Sequence, residues 1–411
     1  MPDYEMRPIT DDELPAFFTM LSAAFGEDNN DDDLAIESLT AETDRTIAAF
    51  DGSDIVATAG AFTFEMSVPG GRLPTAGVTY VGVRATHRRR GLLSTMMRNQ
   101  LHDIHRRGEP IAALWASEAA IYGRFGYGVA SQLHRIEIDR VDATVRNDVA
   151  DDPSLRLRLV TPGDVVADIE QIELALVDRR PGQFVRDKRW IDGLVADPKS
   201  RHGGMSSLRA ILAYDGDDPV GYALYRSKND AVRPHMLPDG QVIVFAHAGL
   251  TPAADVALAR ALLSLDLMRR IRWWNRPTDT SLSHLLTDAR QARTTVLDAL
   301  HVRIVDLPAA LEGRRYSSSV DVVLEVDDPI CDWNTGRWHL HGDSDHVRCS
   351  RTDAEATLRL SMEDLGAVYL GGTTLTTLAE AGRVKASDAE TLTRASRAFG
   401  WHVAPWCPVI F

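Results

Sequence analysis

At 411 residues the chain exceeds what one hydrophobic core organises, so more than one domain is expected, and 44% hydrophobic with 25% charged residues excludes a disordered or membrane-embedded chain. No apolar run approaches the length of a membrane span, and the three cysteines, Cys331, Cys349 and Cys407, form no CxxC pair, which argues against a disulfide framework and a structural zinc site. A net charge of −14, from 59 acids against 45 bases, disfavours nucleic acid as a partner and favours attraction of cationic small molecules.

The start of the chain, Met1-Pro-Asp-Tyr-Glu-Met, is acidic and carries no apolar signal core, so a cytoplasmic protein is expected. Residues 11–25 read as a helix and residues 26–33 as a mobile acidic loop. Residues 46–50 and 55–64 are strand-like and joined by Asp51-Gly52-Ser53-Asp54, which predicts an antiparallel hairpin. Pro69-Gly70-Gly71 turns the chain again, and the β-rich run 79–83 leads into His87-Arg88-Arg89-Arg90-Gly91. Over residues 92–106 the apolar side chains Leu92, Leu93, Met96, Met97, Leu101 and Ile104 fall on one helical face, which Gly108 and Pro110 end. A short apolar strand over 111–116 precedes Ser117-Glu118 and a brief helix carrying Tyr122 and Phe125.

The second segment repeats this order. A helix follows Thr161, strands are expected over 208–214 and 220–225 around an Asp-Gly-Asp-Asp turn, and a strand over 242–247 precedes Thr251-Pro252, a suitable cap and first-turn pair. A helix to about Met268 and a strand over 271–274 complete a degenerate duplication. Leu250-Thr251-Pro252-Ala253-Ala254 stands where the first copy has its Arg- and Gly-containing loop, so no cofactor site is expected in the second copy. From about Leu300, strands over 320–326 and 357–360 are followed by helices whose starts fit capping boxes at Ser361 with Asp364 and Ser387 with Glu390. The tail, residues 401–411, is extended by Pro405 and Pro408 and apolar to its last residue.

A diphosphate needs several donors aimed at one place, and a loop entering a helix supplies free backbone N–H groups at the positive end of the helix dipole. Residues 88–94 have that build: Gly91 permits close backbone approach, Arg89 and Arg90 add charge-assisted contacts, and Leu92, Leu93 and Ser94 open the helix. Val81, Gly82 and Val83 lie just upstream, where backbone donors and acceptors can pair with an extended, amide-bearing arm. Tyr122, a phenol near pKa ~10, is suited to protonating a departing thiolate. His339, His341, Asp343, Asp345, His346 and Cys349 gather around a turn composition, and no metal is expected there.

The loop and the tyrosine segment look like the acyl-CoA motifs of the GNAT superfamily, and the whole chain resembles the Eis (enhanced intracellular survival) acetyltransferases. The most specific parts are Leu73-Pro-Thr-Ala-Gly77, Thr86-His-Arg-Arg-Arg-Gly-Leu-Leu93, Ser117-Glu118, Ile121-Tyr-Gly-Arg-Phe-Gly-Tyr-Gly128 and His284-Leu-Leu-Thr-Asp-Ala-Arg290. The resemblance implies an α/β (α+β) chain of tandem GNAT folds, the second degenerate, with a C-terminal domain similar to sterol carrier proteins. The corresponding blocks are 1–145, 146–298 and 299–411. It further implies acetyl-CoA as acyl donor, held by Val81, Gly82, Val83, Arg89, Arg90, Gly91, Leu92, Leu93, Ser94, Ser117 and Glu118, and a homohexamer. Tyr122 matches the family's general acid, and the main-chain carboxylate of the last residue, here Phe411, its general base.

The reading is therefore an N-acetyltransferase acting by direct transfer in a ternary complex. Its acceptor is the amine of a cationic small molecule, aminoglycoside- or polyamine-like, or a lysine side chain, with no nucleic acid or membrane partner. A covalent Ser117 nucleophile lacks a paired His and Asp in the right order of elements. The rival from another class is a lipid carrier or acyl-CoA sensor that uses the C-terminal domain, which would tolerate loss of the final residue and of the Tyr122 hydroxyl.

Overall fold

Apolar runs punctuated by Asp-Gly and Pro-Gly turns assemble into two seven-stranded sheets and one five-stranded sheet, with a two-stranded ribbon of Val232–Arg233 and Leu237–Pro238, in the computed structural model, which describes residues 4–28, 30–141, 143–149, 152–229, 232–233 and 236–411. Met1–Asp3 and Asn29 of the acidic loop lie outside the described residues. The chain forms two compact units, one from residues up to Gln132 with Arg180–Val185 and Asp298–Phe411, the other from Leu133–Arg179 and Arg186–Leu297.

In the first unit the strands are β1 (Glu5–Arg7), β2 (Ile47–Asp51), β3 (Asp54–Val68), β4 (Gly71–Val83), β5 (Ile111–Trp115) and β6 (Gly128–Val129). The helices among them are α1 (Leu14–Phe25), α2 (Asp31–Ser38), α3 (Leu92–Arg106) and α4 (Ala119–Tyr122). α1 buries Phe17, Phe18 and Met20 against one face of the sheet, while α3 buries Leu92, Met96, Met97, Leu101 and Ile104 against the other. The expected acidic loop is shorter than its composition suggested. Asn30 accepts a hydrogen bond from the Asp33 N–H, and Asp31, Asp32 and Asp33 sit in the first turn of α2, where carboxylates favour the positive end of the dipole.

The sheet order is β1-β2-β3-β4-β5, then the strand Leu300–Ile304, then β6. Leu300–Ile304 runs antiparallel to β5, with His301 opposite Leu114. It carries Arg303, fully buried, to Asp328, where the single nitrogen Nη2 donates to both carboxylate oxygens at 2.7 Å each. Asp328 also accepts the Cys331 N–H and the Asn334 amide, both at 3.0 Å. Breaking a buried, hydrogen-bonded pair from one side leaves an uncompensated charge. Asp328→Ala is accordingly expected to cost about 3–5 kcal/mol, read as a lowered denaturant midpoint, with Asp328→Asn losing less.

The five-stranded sheet holds Val320–Asp327 between Gly336–Gly342 and Leu358–Ser361. The capping box at Ser361 and Asp364 is present. At the next expected box the cap is one residue later than predicted: Asp388, not Ser387, accepts from the Thr391 N–H at 2.8 Å. The Thr391 backbone N–H and hydroxyl, with the Ser387 hydroxyl, lower the Asp388 carboxyl to about 2. An ionised carboxylate at a helix start therefore prevails over the neighbouring hydroxyl. At the expected turn, Asp343 accepts the N–H groups of Asp345 and His346 at 2.9 and 2.7 Å, while His339 bonds Asp321 at 2.8 Å.

The second unit repeats the first sheet position for position. Its order is Leu155–Val160, Arg209–Asp215, Asp218–Lys228, Gly240–Gly249, Met268–Arg276, Gln132–Asp139 and Ala292–Asp298. As in the first sheet, the fourth and fifth strands are parallel and the sixth is antiparallel to the fifth. Each sheet thus takes its sixth strand from across an expected boundary, Leu300–Ile304 in the first and Gln132–Asp139 in the second. The helix expected to reach Met268 ends at Leu263, and Met268 already begins the next strand. Trp273 is core, 1% exposed.

Candidate active site

The site is organised by a fork. Among the described residues β4 and β5 pair in parallel at Thr75–Ile111, Ala76–Ala112 and Gly77–Ala113, after which the pairing ends while both strands run on. β4 keeps β3 as its partner on the far side up to Ala57–Val83. From Val78 onward the edge of β4 that faced β5 has no strand partner among the described residues, a row of backbone donors and acceptors of the kind an extended amide chain can complete.

A bulge decides which face each β4 residue serves. The β3–β4 register shifts between Thr58 and Gly60, Tyr80 adopts φ 56°, and the Thr58 hydroxyl donates to the Tyr80 carbonyl at 2.8 Å. Ala76, Val78, Val81 and Val83 consequently share the α3 face, packed with Met96, Met97 and Leu101. Gly77, Tyr80 and Gly82 face α1: a Cβ on Gly82 would lie 3.1 Å from Leu21, and Tyr80 meets the rings of Phe17, Phe18 and Phe62 edge-on.

On the α3 face, the chain leaves β4 and enters α3 through the basic loop. Arg89 has φ 62° and Gly91, the residue before the helix, φ 83°, with no side chain capping the first turn. The first intrahelical bond is Thr95 N–H to Gly91 O at 3.0 Å, so the N–H groups of Leu92, Leu93 and Ser94 precede the hydrogen-bonded ladder. Arg89 and Ser94 are exposed, Leu92 is buried and Leu93 half-buried. Arg90 is tethered, donating to the Tyr4 hydroxyl at 2.6 Å and the Thr86 carbonyl at 3.0 Å. Ser117 and Glu118 are exposed between β5 and α4.

Tyr122 ends α4 and is 6% exposed, packed with Ala76, Val78, Ala112 and Leu114 on the α3 face. Burial, with the Glu118 charge adding to it, pushes its phenol up to about 12, so it is a protonated donor throughout the physiological range. Its ring stands edge-on to Tyr127 at 6.1 Å.

On the α1 face, the C-terminal residue reaches the crotch of the fork. The Phe411 ring lies edge-on to Phe64 and Phe184 at 5.2 Å each and to Phe62 at 6.4 Å. A Cβ on Gly77 would lie 2.4 Å from the Phe64 ring and 3.2 Å from the Phe411 ring, so glycine at the last β4 residue paired with β5 makes room first for Phe64 and, beside it, for the terminus. The tail is tied down before it arrives. The Trp406 N–H donates to the Pro181 carbonyl at 2.9 Å, Arg180 donates to the Ala404 carbonyl at 2.6 Å, and Cys407 is fully buried. Phe62, Phe64 and Phe184, which build this cage, carry no local motif. Phe184 arrives on the short excursion Arg180–Val185, where Gly182 and Val185 N–H groups bond the carbonyls of Ser67 and Glu65.

The equivalent fork in the second unit is filled by its own side chains. Past the Val244–Trp273 pair, the Trp274 indole N–H donates to the Phe245 carbonyl at 2.8 Å, and Arg276 donates to the His247 carbonyl at 2.5 Å and to Asp255. The following helix is closed too. Thr251 accepts the Ala254 N–H at 3.1 Å, Pro252 has no N–H, and Asp255 stands in the first turn. Burial works against the Asp255 carboxylate, yet Arg276 and His247 outweigh it and hold it far below the usual range.

Comparison with known proteins agrees with this organisation. Residues 5–130 and 182–304 each match an acetyltransferase (GNAT) domain, and residues 307–408 match a sterol carrier protein domain. The chain is 43% identical over 410 residues to an uncharacterised N-acetyltransferase of Streptomyces avermitilis, covering 98% of each. It is 38% identical over 413 residues to the N-acetyltransferase Eis of Mycobacterium tuberculosis, covering 95% of each. A solved structure of Eis1 from Mycobacterium abscessus superposes with a TM-score of 0.83 at 30% identity, over 99% of this chain and 100% of that one.

Proposed function

This chain belongs to the Eis family of GNAT N-acetyltransferases, and on that premise we propose that it moves acetyl from acetyl-CoA directly to a primary amine in a ternary complex. The observation that carries the proposal is the two-sided fork: Tyr122 and the opening of α3 belong to one face of β4, and Phe411 to the other.

Acetyl-CoA fits the first face. The N–H groups of Leu92, Leu93 and Ser94 with Gly91 would hold the diphosphate, Arg89 and Arg90 would add charge, and the free edge of Val81, Gly82 and Val83 would pair with the pantetheine amides. Ser117 and Glu118 flank the same cleft as cofactor contacts. The amine enters from the opposite face. Phe411's carboxylate takes its proton, either directly or through water, and Tyr122 protonates the departing thiolate on the α3 side. An acid and a base on opposite faces of one sheet suit an addition–elimination in which the amine adds to the thioester carbonyl and loses its proton on the Phe411 side, and the tetrahedral intermediate then expels the thiolate, which is protonated on the Tyr122 side.

The acceptor class is a cationic small molecule bearing a primary amine, or a lysine side chain. An acidic chain supports it, as do Glu37 and Glu42: burial is the main cause that raises the Tyr80 phenol on the acceptor face, and the charges of these two glutamates add to it. The second GNAT-like block, 146–298, holds no cofactor, because its own Trp274, Arg276 and Thr251 occupy the groups a cofactor needs. The block 299–411 delivers the catalytic terminus, and the working form is a cytoplasmic homohexamer.

Steady-state release of coenzyme A thiol over polyamines, aminoglycosides and lysine peptides tests the reading, with calorimetric titration of acetyl-CoA alongside. Turnover with at least one amine class and one acetyl-CoA per chain are expected. Gly91→Val, at φ 83° in the approach path, is expected to weaken that binding about tenfold or more. Tight acetyl-CoA binding without turnover on any amine would favour a carrier or sensor.

A further inference from the structure

Three glycines, Gly123, Gly126 and Gly128, stand in the six residues that follow Tyr122, and the acetyl-transfer reading gives none of them a task. The backbone closes on itself here. The Gly126 N–H donates to the Gly123 carbonyl at 2.9 Å and the Tyr127 N–H to the Tyr122 carbonyl at 3.2 Å, with Gly126 at φ 83°. This is the double closure of a helix end in which a left-handed residue turns the chain back. Tyr122 is bonded within the turn through its own carbonyl, so a shift of the turn is a shift of the residue that carries the phenol.

Each glycine is also a point of close approach by the chain beyond Leu300, within the same compact unit. A Cβ on Gly123 would lie 2.9 Å from the carboxylate carbon of Glu363. One on Gly126 would lie 2.8 Å from the Nε and 2.9 Å from the Cζ of Arg303. On Gly128 it would overlap the Glu363 carbonyl and the Ala367 nitrogen, and on Gly366 the Val302 carbonyl. The helix Met362–Val368 therefore meets Gly128 and Val302 backbone to backbone, while the side chains of Arg303 and Glu363 bear on the turn itself. Both are held elsewhere. Arg303 is fully buried, its Nη1 donating to the Ile304 carbonyl at 2.8 Å and its Nη2 to Asp328 at 2.7 Å. Glu363, half-buried, pairs with Arg383 at 2.9 Å. A guanidinium fixed at both terminal nitrogens is a rigid plate, and it leaves the Gly126 backbone one place to rest.

We propose that Arg303 and Glu363 are positioning residues for the general acid: seated against Gly126 and Gly123, they fix the turn on which Tyr122 stands and so the distance from its phenol to the departing sulfur. The proposal rests on the reading of Tyr122 as the acid and adds what sets the acid in place. A misplacement of about 1 Å at a reacting group costs up to ~10²-fold in rate, so both residues act on kcat and not on cofactor binding.

The test is a pair of double-mutant cycles on kcat for acetyl transfer, with acetyl-CoA affinity by calorimetry and the melting temperature measured for every protein. Arg303→Lys keeps a cation beside Asp328 but loses the plate against Gly126, and is expected to lower kcat about tenfold. Glu363→Ala removes a half-exposed partner of a surface ion pair, which the fold tolerates, and is expected to lower kcat about threefold; it carries the test if the Arg303 variant fails to fold. Acetyl-CoA affinity should stay within about twofold of the parent in both. In a Tyr122→Phe background the same substitutions should cost less than about twofold, because a displaced ring without its hydroxyl has no proton to misdeliver. A merely structural role would lower kcat by the same factor in both backgrounds, and that additivity overturns the proposal, as does an unchanged kcat in either folded variant. Both of those results leave Tyr122 as the acid provided Tyr122→Phe itself loses turnover. Wild-type kcat in Tyr122→Phe removes instead the reading on which the proposal rests.

Discussion

Deleting Phe411 is expected to lower kcat for acetyl transfer about 10²–10³-fold while the dissociation constant of acetyl-CoA changes less than about threefold, the size expected when a general base is removed and cofactor contacts stay in place. Two physical losses are combined in that deletion, the terminal carboxylate and a ring packed among Phe62, Phe64 and Phe184. Separate variants divide them. Phe411→Ala keeps a carboxylate at the chain end and removes the ring, so it should lose less activity and show it partly as a raised amine KM. Appending one glycine after Phe411 keeps the ring and displaces the carboxylate by one residue, so it should approach the deletion in kcat. An unaltered rate in the glycine-extended protein would remove the terminus from the chemistry and leave it as packing. An α-carboxylate is ordinarily a weak base, near pKa 3.5, and its acceptance of an ammonium-derived proton relies on the apolar cage and on the amine being attacked in its neutral form.

What was legible in the sequence was local. The periodicity of Leu92, Met96, Met97, Leu101 and Ile104 gives α3 to its observed ends, and the Arg-Gly loop ahead of it reads as an anion site because a helix start needs no long-range partner to present its N–H groups. α2 was missed because three consecutive aspartates resemble a solvated loop, although an Asn cap with acids in the first turn is also how a helix begins. What decides the site's two faces was not legible. It depends on a single bulge that sets Tyr80 at positive φ and resets the alternation of β4, and on Phe184, which enters from a distant excursion of the chain. The pairing of Leu300–Ile304 with β5 is equally non-local: its residues read as a strand in any sheet, and only the fold selects which. In the second fork, Thr251-Pro252 already signalled a capped helix, whereas the use of Trp274 and Arg276 to satisfy the open strand edge required geometry.

Tyr122→Phe removes one oxygen from a buried position, so the fold and cofactor binding should survive it while turnover falls. A reduction of kcat by about 10²–10⁴-fold is expected, with acetyl-CoA affinity within about threefold of the parent protein. The pH profile gives an independent reading of the same group. Because burial raises the phenol to about 12, the proton it donates is retained at every pH below that value, and loss of that proton produces no falling limb between pH 6 and 10. Activity should instead rise with pH as the acceptor amine is deprotonated and then level off. A departing thiolate, ordinarily near pKa 8.5, enters the same desolvated pocket, which raises its own proton affinity and narrows the gap to the phenol. If Tyr122→Phe retains wild-type kcat, solvent or another donor protonates the sulfur; if it loses turnover and the parent profile falls near pH 8, the essential proton belongs to a group other than this phenol.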